Sequence, residues 1–297
     1  MLEHQPIVTW MLIIGTSIFT ILQFRSGYGF EEKYIFHPER ILAGKEYYRL
    51  ISSAFLHADY RHLFLNMLTL YFFGPGVEAA LGSAHFLIAY LGAVLGGSLL
   101  SLYVHRHHDY RAYGASGGVC GILFASILLH PGGSISPLFI PIGIPNWLYA
   151  ICFLLGSFFG MKEGNRGNIG HDAHLGGAII GFLIAAAFEP LAVRFNPWIF
   201  ALVLGTAIML LVYLWLNPLM LSVPVAELWP SRQSSRAKSS RPPKRKQRQL
   251  QIDAVLEKIS RSGLESLTPE EKALLNTASA EYRRRADSKP PQSGLPF

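Results

Sequence analysis

The chain has 297 residues, of which 51% are hydrophobic and 15% charged; an ordinary water-soluble domain carries about 25% charged residues, so the body is composed for a membrane. The net charge of +7 comes from one end: residues 228–297 hold 15 Lys/Arg against 7 Asp/Glu, and the rest hold 11 against 12. The basic balance therefore describes a tail that could face nucleic acid, anionic lipid or water, and nucleic acid is not an expected partner of the apolar body.

Seven apolar stretches approach the roughly 20 residues needed to span a bilayer: 7–24, 62–81, 85–104, 114–130, 144–161, 173–191 and 198–216. All are expected to be helical, because an open strand edge cannot satisfy its backbone in lipid. The first reads as a retained helix rather than a signal peptide, since no Lys or Arg precedes it and Gln23-Phe24-Arg25 is a poor cleavage site. The loop 25–61 carries charges and aromatics and is expected to have its own structure at the membrane surface. The link 82–84 is short enough to force a hairpin, 105–113 is histidine-rich, 131–145 is Pro/Gly-rich, and 162–172 reads as a glycine-rich surface loop. Cys120 and Cys152 both fall in apolar runs, read as small buried hydrophobes, and offer no disulfide framework or zinc spacing.

From about residue 226 the composition changes. Residues 226–250 read as a basic disordered linker, 251–285 as a small helical hairpin, and 286–297 as a disordered end. Ile252, Val255, Leu256 and Ile259 recur at helical spacing, and Thr268-Pro269-Glu270-Glu271 carries the marks of a helix start.

Three groups carry chemistry. Gly114-Ala115-Ser116-Gly117-Gly118 matches the soluble-hydrolase elbow in letters, but it lies between a polar loop and an apolar segment and so lacks the strand that the elbow requires. Taken alone, its small residues also suit ordinary helix packing. Ala173-His174-Leu175-Gly176-Gly177, continuing to Gly181, puts an ionisable side chain at the head of a spanning segment, beside a G-x-x-x-G face that would let another helix approach. A water-facing interfacial histidine is the plain alternative. His62 and Asn66 stand four apart on one helical face, as oxyanion donors or as a cap and an interhelical bond. Peptide cleavage needs a nucleophile, a base and oxyanion donors. Each appears here once, near the start of the second, fourth and sixth segments, which all begin on one side of the membrane. Asp172 and Glu78 are poorly placed to orient His174, which favours a Ser–His dyad.

Taken together, these motifs resemble the rhomboid intramembrane proteases. Gly114-Ala-Ser116-Gly117 is similar to their serine motif, Ala173-His174-x-x-Gly177-x-x-x-Gly181 to their last catalytic helix, and His62-x-x-x-Asn66 to their oxyanion pair. Gly74-x-x-x-Glu78 followed by Gly82, and Tyr48-Arg49-Leu50-Ile51 to Phe55-Leu56-His57, resemble their second helix and the loop before it. The resemblance covers roughly 45–190. It implies an all-α polytopic membrane protein: a rhomboid-like six-helix core over 1–195, an added transmembrane or interfacial helix over 196–225, and the small helical tail. Ser116 would be the nucleophile, His174 the base and then the acid, with His62, Asn66 and the Ser116 amide binding the oxyanion. Arg49, His57 and Glu78 would be structural supports, and Gly114, Gly117, Gly177 and Gly181 would allow close packing.

The partners implied are transmembrane protein substrates and the lipid bilayer, with no cofactor and no metal. His105, His107 and His108 read as water-facing loop residues. The tail helix around 258–279 resembles one found in bacterial members, implying a bacterial inner membrane. Two positions depart from the family pattern: Tyr48 stands where Trp is commoner, and Cys120 where a ring stacked on the histidine is usual.

Overall fold

The structure is a computed structural model that describes residues 5–26, 28–107, 109–136, 142–162, 170–217, 255, 258, 267–273 and 275. The chain divides into two compact units, Met1–Trp229 and Pro230–Phe297.

In the first unit the helices follow in order as α1 (Ile7–Ser26), α2 (Tyr28–Tyr34), α3 (Pro38–Leu42), α4 (Arg49–Ser52), α5 (Tyr60–Leu81), α6 (Ser83–His105), α7 (Ser116–Leu129), α8 (Asn146–Lys162), α9 (His171–Phe188), α10 (Pro190–Phe195) and α11 (Pro197–Leu216). A minimal antiparallel hairpin, β1 (Ser134–Ile135) with β2 (Ile144–Pro145), lies between α7 and α8. Among the described residues five helices, α1, α5, α6, α9 and α11, are long and apolar enough to cross a membrane. The chain is an all-α polytopic membrane protein.

The fourth, fifth and sixth of the seven expected spans are corrected in length. α7 has 14 residues and α8 has 17. At 1.5 Å per residue α7 is about 21 Å long, short of a hydrocarbon core of about 30 Å. The stretch 114–130 overran because Gly114 and Ala115 belong to the incoming loop. The stretch 144–161 overran because Ile144 and Pro145 form β2. The sixth stretch ends at Phe188, where Glu189 and Pro190 break it and α10 begins.

Burial follows the logic of a membrane protein. On α1 the inward face is polar: Thr9, Thr16, Thr20 and Gln23 are buried, while Ile7, Met11, Ile14, Ile18 and Leu22 are exposed. In lipid the apolar side chains are the solvent-facing ones, and polar groups must find partners inside. Glu78 of α5, fully buried, supplies one such partner. Its carboxylate accepts the Val8 and Thr9 amides at 3.0 and 2.7 Å and the Thr9 and Ser83 hydroxyls at 2.7 Å each, so one carboxylate satisfies the free N–H groups at the α1 N-terminus. The loop 25–61 does have its own structure, in α2, α3 and α4. Buried Arg49 holds it together: it pairs with Glu46 at 2.6 Å and donates to the Glu32 and Ile35 carbonyls at 2.9 and 2.8 Å.

α9 lies between α6 and α7, separated from each by glycines. A Cβ on Gly176 would stand 2.5 Å from the Gly96 carbonyl of α6, and one on Gly97 would stand 2.5 Å from the Ala173 carbonyl. On the other side Gly177 and Gly181 touch the backbone of Gly117 and Gly121. Small residues let the helix backbones meet, and dispersion then holds them where lipid offers no hydrophobic drive.

In the second unit the expected helix start is formed. The Glu271 amide donates to Thr268 Oγ1 at 3.3 Å and the Thr268 amide donates back to the Glu271 carboxylate at 2.8 Å, with Lys258 paired to the same carboxylate at 2.8 Å. The linker, the rest of the hairpin and the end at 286–297 lie outside the described residues, as do His108 and most of the loop 162–172.

Candidate active site

Ser116 is the first residue of α7, half-buried, where the helix leaves its leading N–H groups without intrahelical partners. The chain reaches it through Gly114, whose φ of +139° lies in the region that favours glycine. A Cβ there would also stand 2.7 Å from Cε1 of the His62 ring. The approach is anchored twice: the Gly114 amide donates to the Ser53 carbonyl at 3.0 Å, and the Ala115 amide to Nε2 of His57 at 3.4 Å.

His57 is completely buried and its tautomer follows from its neighbours. The Thr20 hydroxyl donates to the Phe55 carbonyl at 3.0 Å, so at 2.9 Å from that oxygen His57 Nδ1 is the donor, leaving Nε2 to accept from Ala115. The backbone of His57 is clamped by Gln23, which accepts its amide at 2.9 Å and donates to its carbonyl at 3.0 Å. Burial, with a smaller push from His62, lowers the His57 pKa to about 3, so the imidazole stays neutral and Nε2 remains an acceptor. A relay thus runs from the polar face of α1 through His57 to the residue before Ser116. His57 was singled out in the sequence as a structural support. Its partners Thr20 and Gln23 were missed, although the spacing of polar residues in the first apolar stretch marks an inward face.

His174 stands one turn into α9, three residues before Gly177 on the face that meets α7. A Cβ on Gly117 would stand 3.3 Å from the Ala173 carbonyl. Ser116 and His174 are therefore the immediate chain neighbours of two residues in contact. Among the described residues no hydrogen bond joins their side chains; the glycine crossing is what brings them together.

His62 and Asn66 lie on α5. Asp59 caps α5, accepting the His62 amide at 2.7 Å, and that bond holds its carboxyl below the usual range. The His62 ring lies against Gly114 and 5.0 Å from the His57 ring. Asn66 is buried and donates one N–H to the His62 carbonyl at 3.1 Å, which leaves its second N–H for another acceptor. The start of α7 thus meets His62 of α5 through Gly114 and Ala173 of α9 through Gly117.

Asp172, fully buried, pairs with His105 of α6 at 3.1 Å. His105 also stacks on Tyr110 at 3.5 Å between centroids, so it is not the water-facing loop residue expected. It ends α6 and is drawn inward by the buried carboxylate. Cys152 is corrected too, lying exposed on α8, whereas Cys120 is buried. Tyr48 keeps its ring at the surface and donates to the Lys33 carbonyl at 3.0 Å. Among the described residues Phe153 of α8 brings a ring to 6.2 Å from that of His174, between centroids.

The helical core is similar to known proteins. The family described as "Rhomboid domain" matches residues 44–190, and a family of unknown function, DUF6576, matches 243–281. "RHOMBOID-like protein 12, mitochondrial" of Arabidopsis thaliana is 31% identical over 215 residues, 65% of this chain and 62% of its own length. "Rhomboid protein 1, mitochondrial" of Saccharomyces cerevisiae is 28% identical over 61% of this chain and 56% of its own. "Rhomboid protease GluP" of Bacillus subtilis is 35% identical over 50% of this chain and 27% of its own. The chain spans less than two thirds of the length of each of these relatives. Two are mitochondrial, so they support a multi-pass membrane protein and not the narrower expectation of a bacterial inner membrane. With its matched domain and these relatives, the chain belongs to the rhomboid family.

Proposed function

We propose that this protein is a serine endopeptidase that cleaves transmembrane segments of other membrane proteins, with Ser116 as nucleophile and His174 as general base and acid. The observation that carries the reading is the crossing of α7 and α9 at Gly117 and Gly177, which makes Ser116 and His174 neighbours at one end of the bundle. Catalytic hydrogen bonds are often long without substrate and tighten when it binds.

In the first step the Ser116 hydroxyl proton passes to the His174 imidazole as Oγ bonds to the scissile carbonyl carbon. The oxyanion is held by the Ser116 backbone amide, by the His62 ring and by the second N–H of Asn66. Collapse breaks the C–N bond, and the imidazolium gives its proton to the leaving amine. Water then enters, losing a proton to His174 as its oxygen attacks the acyl ester, and Ser116 recovers its proton as the peptide acid leaves. No cofactor is needed. A 14-residue α7 is about 21 Å long, so with its last residues at the opposite membrane face it would keep Ser116 below the surface of a core about 30 Å thick. The substrate suited to that depth is a single transmembrane helix unwound near one end.

Residues 1–195 are proposed as the catalytic core, with 196–225 an added helix, 226–250 a linker and 251–285 a helical appendage. Arg49, His57 and Glu78 support the core from outside the reacting atoms.

The test is cleavage of a single-span substrate by purified full-length protein in detergent, beside Ser116→Ala and His174→Ala. Cleavage by the wild type alone, with both variants folded, supports the dyad. A wild type inert toward several substrates, whose Ser116 resists a serine-directed fluorophosphonate, would instead describe a family member that binds membrane helices without cutting them.

A further inference from the structure

Catalysis by His174 requires its imidazole to be held in one orientation, yet neither hydrogen bond nor ion pair fixes the ring among the described residues. Its aromatic neighbours are His171, on its own helix at 6.0 Å, and Phe153 of α8, at 6.2 Å with the planes tilted by 33°. Phe153 is itself wedged. It meets the fully buried Phe124 of α7 edge-on at 5.4 Å and stacks on Tyr149 at 6.1 Å. Position 120, one turn past Ser116, carries the small buried thiol of Cys120 and so brings no ring to His174 from α7. Aromatic pairs at these separations prefer tilted or edge-on geometries, so they restrict rotation as well as fill volume.

α8 is held in turn by α11. Trp147 meets Trp198 at 6.3 Å near the starts of the two helices, and Phe158 meets Tyr213 at 5.5 Å near their ends, both edge-on. α11 also reaches α9, where Phe182 and Phe200 stack at 5.7 Å with planes 14° apart. One helix therefore braces both the element that carries Phe153 and the element that carries His174.

We propose that Phe153 is a positioning residue for the His174 imidazole and that α11 holds it in place, so that the added helix is part of the catalytic apparatus. The proposal rests on the protease reading above. An orientation role acts on the chemical step, so kcat is lowered and KM is left alone. Steady-state cleavage of the single-span substrate by full-length Phe153→Leu, which keeps most of the volume without the ring, is expected to show kcat down about tenfold with KM within about twofold. Phe153→Tyr keeps the ring and is expected to retain kcat within about twofold. Tyr213→Ala is expected to lower kcat by a smaller factor, also without raising KM.

A second readout does not depend on turnover. In histidine-labelled protein carrying Ser116→Ala, the His174 Cε1–H resonance is displaced by the ring current of Phe153, and Phe153→Leu is expected to remove that displacement. Full activity in Phe153→Leu, or an unmoved resonance, overturns the proposal. So does a rise in KM with kcat intact, which would make Phe153 a substrate contact. A displaced resonance in a protein that cuts nothing would keep the geometry, overturn the catalytic role and leave the protease reading itself at fault.

Discussion

The carbonyl carbon of Gly117 stands 2.7 Å from where a Cβ on Gly177 would be. No side chain fits there, and everything proposed for Ser116 and His174 depends on that contact. Gly181 repeats it one turn on, 2.5 Å from the Gly121 carbonyl, so α7 and α9 are locked in register over two turns.

Gly177→Ala is therefore expected to separate α7 from α9, abolish cleavage and cost about 1–3 kcal/mol of stability, the usual range for overpacking. The control is Gly205→Ala on α11, where an added Cβ meets nothing within 4 Å. A helix propensity gain of about 1 kcal/mol is expected there, with activity unchanged. Thermal unfolding and cleavage in detergent measure both. Equal effects at the two glycines would show that backbone contact is not what matters.

His57 makes stability depend on pH in a definite direction. The unfolded residue takes up a proton near pH 6.5 and the folded one only near 3. Between those values the unfolded state binds more protons, so stability is complete above the window and falls as pH drops through it, by about 2 kcal/mol at pH 5. His57→Gln should flatten that limb. Parallel pH profiles of wild type and variant would mean that the residue titrates normally.

Arg49→Lys is expected to behave almost as badly as Arg49→Ala. The guanidinium pairs with Glu46 through two nitrogens while also serving two carbonyls, a geometry an ammonium cannot reproduce. Losing the guanidinium also leaves the Glu32 and Ile35 carbonyls without their donor, at about 1–3 kcal/mol for each buried group left unpaired. Because the loop it ties includes Ser53 and His57, loss of cleavage should accompany the loss of stability. Full activity in Arg49→Lys would separate the loop from the site.

Glu78→Gln keeps the shape but turns an N–H pair toward donors from Val8, Thr9 and Ser83. A loss of about 2–3 kcal/mol is expected, since a buried group left facing its own kind loses its hydrogen bonds and stays desolvated. Thr9→Val, which removes one donor, should cost about 1 kcal/mol. Chemical denaturation in mixed micelles compares the two, and the order Thr9 above Glu78 would contradict the capping role.

The sequence by itself determined the class of the protein and the identity of the residues now proposed as its site. Apolar length, a shortage of charge and the Ser116, His174 and His62/Asn66 motifs are local properties, readable because each spanning helix must satisfy its own backbone and announces itself by composition. The capping box at Thr268 was legible for the same reason.

What only the tertiary structure decided is how those helices touch. That α7 is too short to span, that His105 turns inward to Asp172, that Thr20 and Gln23 hold His57, and that Phe153 of α8 lies beside His174 are all contacts between segments far apart in the chain. A one-dimensional pattern gives the face of a helix but not the neighbour it meets. Where lipid removes the hydrophobic drive, that neighbour is chosen by close fit and by the need of each buried polar group for a partner.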